Sequence, residues 1–272
     1  MGWTRRSSVG RGLLVLGAGA LLALGTGCAP WPGRPPRPTE RTVVTNPGRF
    51  TATAGPGSFL ELVDGEGTPI PASHVDFGRP ACADGNDNDL DGGVDAGSDP
   101  QCVGPGDANE RLDGLQPAVA STLPIIVRRD GTVVVDRTDL VVQQREYCFD
   151  AGDLWCTGIT LRGAGPSRRG RITGSRVTIP IPITIKLDAL TGFPGFDSDC
   201  EIPYIDSVFS GANYDETAGT VRLATSDVPV APAADCGPWT EQVNAVLGLP
   251  TVGRSVIELT ITNHNGDPIQ LA

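Results

Sequence analysis

The sequence predicts a mainly β protein: a β-sandwich-like domain or related barrel, preceded by an acidic segment closed between two cysteines. Three observations carry this. The run Arg176–Leu187, RVTIPIPITIKL, alternates strictly and places Val177, Ile179, Ile181, Ile183, Ile185 and Leu187 on one face. That period of two is the mark of a half-buried strand. Shorter β-branched runs recur at close spacing, separated by Gly, Asp, Asn or Pro turns. Aromatic residues supply only 5% of the chain, so its core must be built from Val, Ile and Leu.

Taken in order, the chain of 272 residues begins with Arg5, Arg6 and Arg11, then an apolar run from Leu13 to Leu24, then small residues to Gly27. This is the layout of a signal peptide over 1–27, too short in its apolar part to span a membrane. The leader's end, Leu24-Gly25-Thr26-Gly27-Cys28, resembles a bacterial lipobox. The resemblance implies that Cys28 carries a diacylglycerol and becomes the mature N-terminus, which gives a membrane partner through an N-terminal lipid. Pro30 agrees, because signal peptidases dislike proline just past an ordinary cut. Sec and twin-arginine export both stay open. Residues 28–40 are the anchor cysteine and a Pro-rich tether, APWPGRPPRPTE after Cys28, of the kind that extends as polyproline II.

Residues 41–81 hold short apolar pieces, Arg41–Thr45 and Ser58–Val63, that read as a short-strand lead-in. An acidic module follows over 82–113, and the β-sandwich-like domain runs over 117–272. Its expected strands are Thr132–Val135, Leu140–Gln144, Thr157–Arg162, Arg176–Leu187, Thr220–Thr225 and Ser255–Thr262. Pro180 and Pro182 lack amide donors, so the long strand must lie at an edge or carry a break. One short helix starts near Thr240, passes through Val243, Val246 and Leu247, and stops at Gly248 and Pro250. Arg168, Arg169 and Arg171 read as an exposed loop.

The formal charge is −11, and removing the three arginines of an acid-free leader gives −11 − 3 = −14. Such a surface repels phosphates, which argues against nucleic acid, and favours divalent cations. The module concentrates that charge. Residues 82–102 read CADGNDNDLDGGVDAGSDPQC. Asp87, Asp89 and Asp91 are spaced by two, Gly92 follows and Asp95 stands at position nine, an arrangement that lets a tight loop turn several oxygens onto one hard cation. An EF-hand would offer Glu at position twelve; Ser98 stands there, and no helices flank the loop. Magnesium accepts fewer protein carboxylates, and zinc wants thiolate or imidazole.

The module resembles thrombospondin type 3 repeats and a bacterial cell-surface motif of the form Cys-x-Asp-Gly-x-Asn/Asp-Asp-x-Asp-Gly, then spaced Asp, Asp-Pro and a closing Cys. The match covers Cys82, Asp84, Gly85, Asp87, Asn88, Asp89, Asp91, Gly92, Asp95, Asp99, Pro100 and Cys102, with Asp107 and Glu110 in place of a trailing acid pair. The resemblance implies a surface protein whose cofactor is calcium, held by ligands drawn from Asp84, Asp87, Asp89, Asp91, Asp95, Asp99, Asp107 and Glu110. It implies nothing about an enzyme.

Seven cysteines leave Cys28 odd. Six others in an oxidising compartment are expected to form three disulfides, from fifteen conceivable pairings. Spacing prefers Cys82 with Cys102 around the acidic run and Cys148 with Cys156 around a hairpin turn, which leaves Cys200 with Cys236. Those last two pairs, with the segment NAVLGLP at 244–250, are similar to exported β-domains of unknown function in high-GC Gram-positive bacteria.

No catalytic residue is selected. The chain has two histidines, His74 and His264. Neither lies in a nucleophile elbow or zinc-protease motif. Asp197, Asp199, Glu201, Asp215 and Glu216 offer carboxylates for glycoside hydrolysis, but nothing in their spacing picks a pair. Trp155 and Trp239 lie close to cysteines and read as packing around bridges. The function expected from sequence is therefore a calcium-binding exported cell-envelope lipoprotein with a structural or ligand-binding role. It sits at the cell membrane or surface by its lipid, and is otherwise secreted. A glycan-binding or lipid-carrier domain is the alternative, with a glycoside hydrolase behind it. Glycan, lipid or another envelope protein remain open as partners.

Overall fold

A computed structural model describes residues 42–63, 66–69, 74–87, 91–105, 107–108, 119–135, 140–142, 145–150, 154–191, 195 and 199–272. The signal peptide, Cys28 and the tether lie outside them. The described elements are β1 (Gly48–Ala54), β2 (Phe59–Val63), β3 (Val75–Asp76), β4 (Thr122–Val127), β5 (Thr132–Val135), β6 (Arg145–Asp150), β7 (Leu154–Gly163), β8 (Arg169–Thr173), β9 (Arg176–Thr191), β10 (Glu201–Gly211), β11 (Thr220–Val230), α1 (Thr240–Val246) and β12 (Thr251–Thr262). The protein is mainly β, and all of the described strands belong to one antiparallel sheet.

The sheet closes on itself. Strands β1, β4, β5, β8, β9, β10, β11 and β12 pair in that order, and β12 pairs back to β1 through Leu259↔Ala54 to Thr262↔Thr51. The closure is confined to one end, because the two long strands change partners along their length. β9 pairs with β8 up to Thr178 and with β7 from Ile183 onward. β12 pairs with β2 over Val252–Val256 and with β1 over Leu259–Thr262. At the far end the sheet therefore splays into two branches, β2–β3 and β7–β6. The fold is a barrel at one end and sandwich-like at the other.

The partner change on β9 explains its prolines. Pro180 and Pro182 fall in the interval between β8 and β7, where that edge carries no ladder. Ala164 N–H donates to Pro182 O at 3.0 Å, so this is the edge Pro182 presents. The missing amides thus cost no ladder bond, and the strand is central and broken on one edge. Both prolines are buried, although they lie on the face opposite Ile179 and Ile181. β12 meets a similar interruption, since Gly55–Ser58 separates β1 from β2 along one edge and Ser58 Oγ accepts Glu258 N–H at 3.0 Å.

The core is aliphatic, as the composition requires. Ile125, Ile172, Ile179, Ile202, Ile205, Leu223, Ile261 and Ile269 are the largest fully buried side chains among the described residues. Burying each such side chain contributes roughly 1.5–3 kcal/mol before entropy is counted. Helix α1 ends as expected, with Gly248 at φ 60°, a left-handed stop that glycine adopts without strain. Three regions differ from the sequence reading. Among the described residues of these stretches, 42–45 and 140–142, Val44 makes an isolated bridge to Leu271 and Val141 one to Thr122. Arg169 and Arg171, expected in a loop, lie in β8, where Ile172 alternates inward between them and Thr173.

β1 to β3 precede the acidic segment and β4 to β12 follow it, all in one sheet. The segment is thus an insertion into the β domain. Its neck is pinned: Ser121 Oγ donates to Phe77 O at 2.8 Å, and Ala54 N–H donates to Ser121 O at 2.9 Å. Beside the neck, buried Asp76 accepts the amides of Gly78 and Arg79 and pairs with the Arg79 guanidinium at 3.0 Å. The chain enters and leaves the insertion at one point, so its loop geometry is set locally.

Candidate metal centre

The insertion is framed by the Cys82–Cys102 disulfide, whose Cα atoms are 5.7 Å apart. Ala81–Ala83 form a single 3₁₀ turn that buries Cys82. Cys82 N–H donates to Asp107 O at 3.2 Å, and Ala96 N–H donates to Cys82 O at 3.1 Å. The bridge therefore gathers three parts of the segment: 82–84, 95–99 and 102–107. The other two disulfides are Cys148–Cys156, across directly opposed residues of β6 and β7, and Cys200–Cys236. All three pairs are those that spacing preferred.

Six of the eight expected ligands are described, and each accepts a backbone amide. Asp84 Oδ1 accepts Asn86 N–H at 2.9 Å, Asp91 Oδ1 accepts Gly93 N–H at 2.7 Å and Asp99 Oδ1 accepts Gln101 N–H at 2.7 Å. These are Asx turns, in which an aspartate folds the chain over itself two residues on. Asp87 Oδ2 accepts Gly92 N–H at 3.0 Å, linking the first and sixth positions of the loop, and Asp95 Oδ1 accepts Gly85 N–H at 3.0 Å across it. Asp107 Oδ2 accepts Val103 N–H at 3.4 Å. Asp89 and Glu110 lie outside the described residues.

The glycines are needed where they stand. Gly85, Gly92 and Gly97 have positive φ. Gly93 passes so close to Asp99 that a Cβ there would lie 2.6 Å from the Asp99 Cα. Ser98, at the twelfth position, bonds the Val94 backbone through its hydroxyl, as donor to Val94 O and acceptor from Val94 N–H. It closes the turn at the position where an EF-hand carboxylate would stand.

The electrostatics are one-sided. Asp84, Asp99 and Asp107 are only 5%, 3% and 0% exposed, and residues 80–110 contain eight acids and no Lys, Arg or His. Amide donors stabilise these carboxylates, yet several buried anions close together remain costly without a cation. Two acceptor oxygens are left over: Asp87 Oδ1 and Gln101 Oε1 are buried and accept no hydrogen bond. Gln101 is absent from the sequence-derived ligand set, because an amide carries no charge pattern to read. Among the described residues, no group of three or more acidic, Cys or His side chains is gathered closely enough to hold a metal as it stands. The donor set is all oxygen, which fits a hard cation of the calcium type.

The remaining candidate residues are dispersed. His74 stacks on Phe59, with centroids 4.9 Å apart, and its Nδ1 lies 3.5 Å from Glu61, which also pairs with Arg254. His264 is exposed in a turn that Asn263 organises through the amides of Asn265 and Asp267. Asp215 accepts the amides of Thr217 and Ala218, which hold its carboxyl below the usual range. Glu216 accepts the Leu271 amide at 3.1 Å, fastening the C-terminal tail. Asp199 is exposed, Glu201 lies opposite Lys186, and Asp197 is outside the described residues. Trp239 packs on the core; the side chain of Trp155 is outside the description. An apolar cleft at the split of the sheet, lined by Leu60, Phe77, Leu140, Leu161 and Phe209 among others, offers about 60 Å³, against ~300–1,000 Å³ for ordinary ligand pockets. Among the described residues no helix is long and apolar enough to cross a membrane.

Fold and site together define a class: a partly closed antiparallel β-barrel with a disulfide-framed, carboxylate-rich insertion. Comparison with family models, with curated proteins and with solved structures finds no match for this chain.

Proposed function

We propose that this chain is an exported, lipid-anchored envelope protein whose acidic insertion binds calcium, and whose barrel has a structural or ligand-binding role. The observation that carries the reading is Asp87 Oδ1. It is a buried carboxylate oxygen with no donor, in a segment of eight acids and no base. A hydrogen-bonding side chain would satisfy one lone pair, whereas a divalent cation would satisfy the oxygen and offset its neighbours' charge as well. Asp87, Asp89, Asp91 and Asp95 would supply carboxylates, with Asp84, Asp99, Asp107 and Glu110 as the wider set, and Gln101 Oε1 as a neutral oxygen. Bound calcium would neutralise the cluster and cross-link the stretches that the disulfide already holds. The small apolar cleft gives no support to a lipid carrier.

Calorimetric titration of the purified protein should show saturable calcium uptake that is lost in Asp89→Ala/Asp91→Ala. An unchanged isotherm in that variant, or no uptake by the parent, removes the site. The anchor rests on the lipobox-like end of the leader and is tested separately. Parent and Cys28→Ser are expressed in a suitable bacterium and fractionated. After a high-salt wash, which removes protein held by charge alone, the parent is expected with the membrane and the variant in the soluble fraction; identical fractionation then refutes lipidation.

A further inference from the structure

Four of the eight strands that close the barrel reverse the charge of the rest. On β1, β4, β5 and β8 the inward positions are apolar and the outward ones are Arg, Thr, Val, Ile or Pro, with no acid in any of the four strands. Arg49 lies opposite Ile126, Ile126 opposite Val134, and Val134 opposite Arg169, so an arginine stands at each end of one cross-strand row. Arg171 projects on the same face two residues along β8. At the closed end of the same strands, Arg128 and Arg129 follow β4 and Arg176 opens β9. All six arginines are exposed, and none forms a salt bridge with a described carboxylate.

Among the described residues the acid on this wall is Asp130, whose carboxylate accepts the Thr132 amide at 3.0 Å. Other acids at this end belong to loops beyond β10 and β12 and hold local bonds of their own. Among the described residues that is six positive charges against one, a local inversion in a chain of net −11. Asp130, which feels the Arg128 charge, offsets only part of their mutual repulsion. Two exposed apolar side chains, Ile126 and Val43 at 39% and 37%, lie in and beside the patch.

The chain enters the described structure at this wall. Gly174 N–H donates to Thr42 Oγ1 at 2.8 Å, and Val44 N–H donates to Arg129 O at 2.9 Å. The turns that carry or flank Arg128, Arg129 and Arg176 are therefore the ones that hold the end of the tether. A tether of this length and proline content reaches at most about 40 Å from Cys28 when fully extended.

We propose that the arginine wall of β1, β4, β5 and β8 docks on the anionic phospholipid headgroups of the membrane, orienting the barrel with its acidic insertion and splayed end away from the lipid. The proposal rests on the reading of the chain as a membrane-anchored protein. Each arginine near an anionic bilayer strengthens partitioning roughly fivefold. Tethering supplies the high local concentration that makes so weak a contact persist.

The test uses the full chain carrying Cys28→Ser, so that binding does not depend on lipidation, with a chelator present to exclude calcium bridging. Co-sedimentation is measured with vesicles of phosphatidylcholine alone and of phosphatidylcholine with phosphatidylglycerol. Binding is expected to the second kind only and to weaken with salt. Arg169→Gln/Arg171→Gln is expected to lower the partition coefficient roughly tenfold or more. Arg169→Lys/Arg171→Lys keeps the charge and should retain most of the binding, which separates charge from any effect on folding. Arg162→Gln/Arg222→Gln, off the wall, should leave binding unchanged. No binding to anionic vesicles, or equal losses in the on-wall and off-wall glutamine variants, overturns the proposal. Binding to a soluble poly(glycerol phosphate) but not to vesicles also overturns it, in favour of a wall polymer. Fractionation of Cys28→Ser fails or succeeds independently, so loss of the anchor reading is distinguishable from loss of this one.

Discussion

The substitution Asp87→Asn separates a cation site from a merely acidic loop, because the two readings predict opposite patterns. The asparagine side chain keeps an oxygen that can accept the Gly92 amide, as Asp87 Oδ2 does at 3.0 Å. It replaces the other oxygen, Oδ1, which is buried without a donor. In the chelated protein the change removes one negative charge from a segment of eight acids and no base, so the variant should be at least as stable as the parent. In calcium the order should reverse. A ligand at a hundred times its dissociation constant stabilises by about 2.7 kcal/mol. If Glu40–Ala272, one compact unit, unfolds in one step, that is a rise in Tm of about 5–10 °C, taking ~2–4 °C per kcal/mol for a domain of this size. Loss of one charged ligand should weaken binding at least tenfold, removing about 1.4 kcal/mol of the increment at the same calcium concentration. Thermal unfolding of parent and variant, each with calcium and with chelator, gives the four values needed. If calcium raises the Tm of both proteins equally, Asp87 is not a ligand. If it raises neither, the insertion is only an acidic loop and the reasoning from its orphaned oxygen fails.

Two further outcomes follow from the packing. Gly93→Ala must push Asp99 aside, since its Cβ would lie 2.6 Å from a backbone atom; overpacking of this kind costs about 1–3 kcal/mol, and calcium affinity should fall with it while far-ultraviolet circular dichroism keeps the β signature. Tyr214 is buried, donates to Ile269 O at 2.9 Å, and has its pKa pushed up to about 12, chiefly by burial. Its folded pKa exceeds the ordinary value near 10, so the stability it contributes is complete below pH ~10 and is lost as pH rises toward 12. Alkaline unfolding followed by tyrosinate absorbance should show that loss, and Tyr214→Phe should flatten it; an identical alkaline slope in the variant would refute the assignment.

Several features were legible in the sequence because they are local. The alternation at 176–187 needs only neighbouring residues to declare a strand. Gly248 and Pro250 stop a helix whatever surrounds it. Close cysteine spacing selected Cys82–Cys102 and Cys148–Cys156, since short loops close most readily, and elimination gave Cys200–Cys236. The ladder of aspartates announced an oxygen-rich loop. The prolines of β9 demanded an edge or a break, and the break lies where its partner changes from β8 to β7.

What only the tertiary structure decided depends on residues far apart in the chain. No periodicity says that β1 pairs with β12, at the other end of the β domain, or that this closes one end of the sheet and leaves the other splayed. For the same reason the residues before the acidic segment read as a lead-in, although their strands complete the barrel and make that segment an insertion pinned by Ser121 and Phe77. Within the insertion, composition shows which residues are acidic, but only the fold shows which carboxylate oxygens the backbone amides already occupy and that Asp87 Oδ1 is left without a donor. The basic wall is hidden from the sequence in the same way. Arg49 and the Arg169–Arg171 run are 120 residues apart in the chain, and strand pairing through β4 and β5 sets them on one face. Local chemistry is written in adjacent residues, whereas register, closure and surface charge arise from contacts whose loop-closure entropy is met only once the whole sheet has formed.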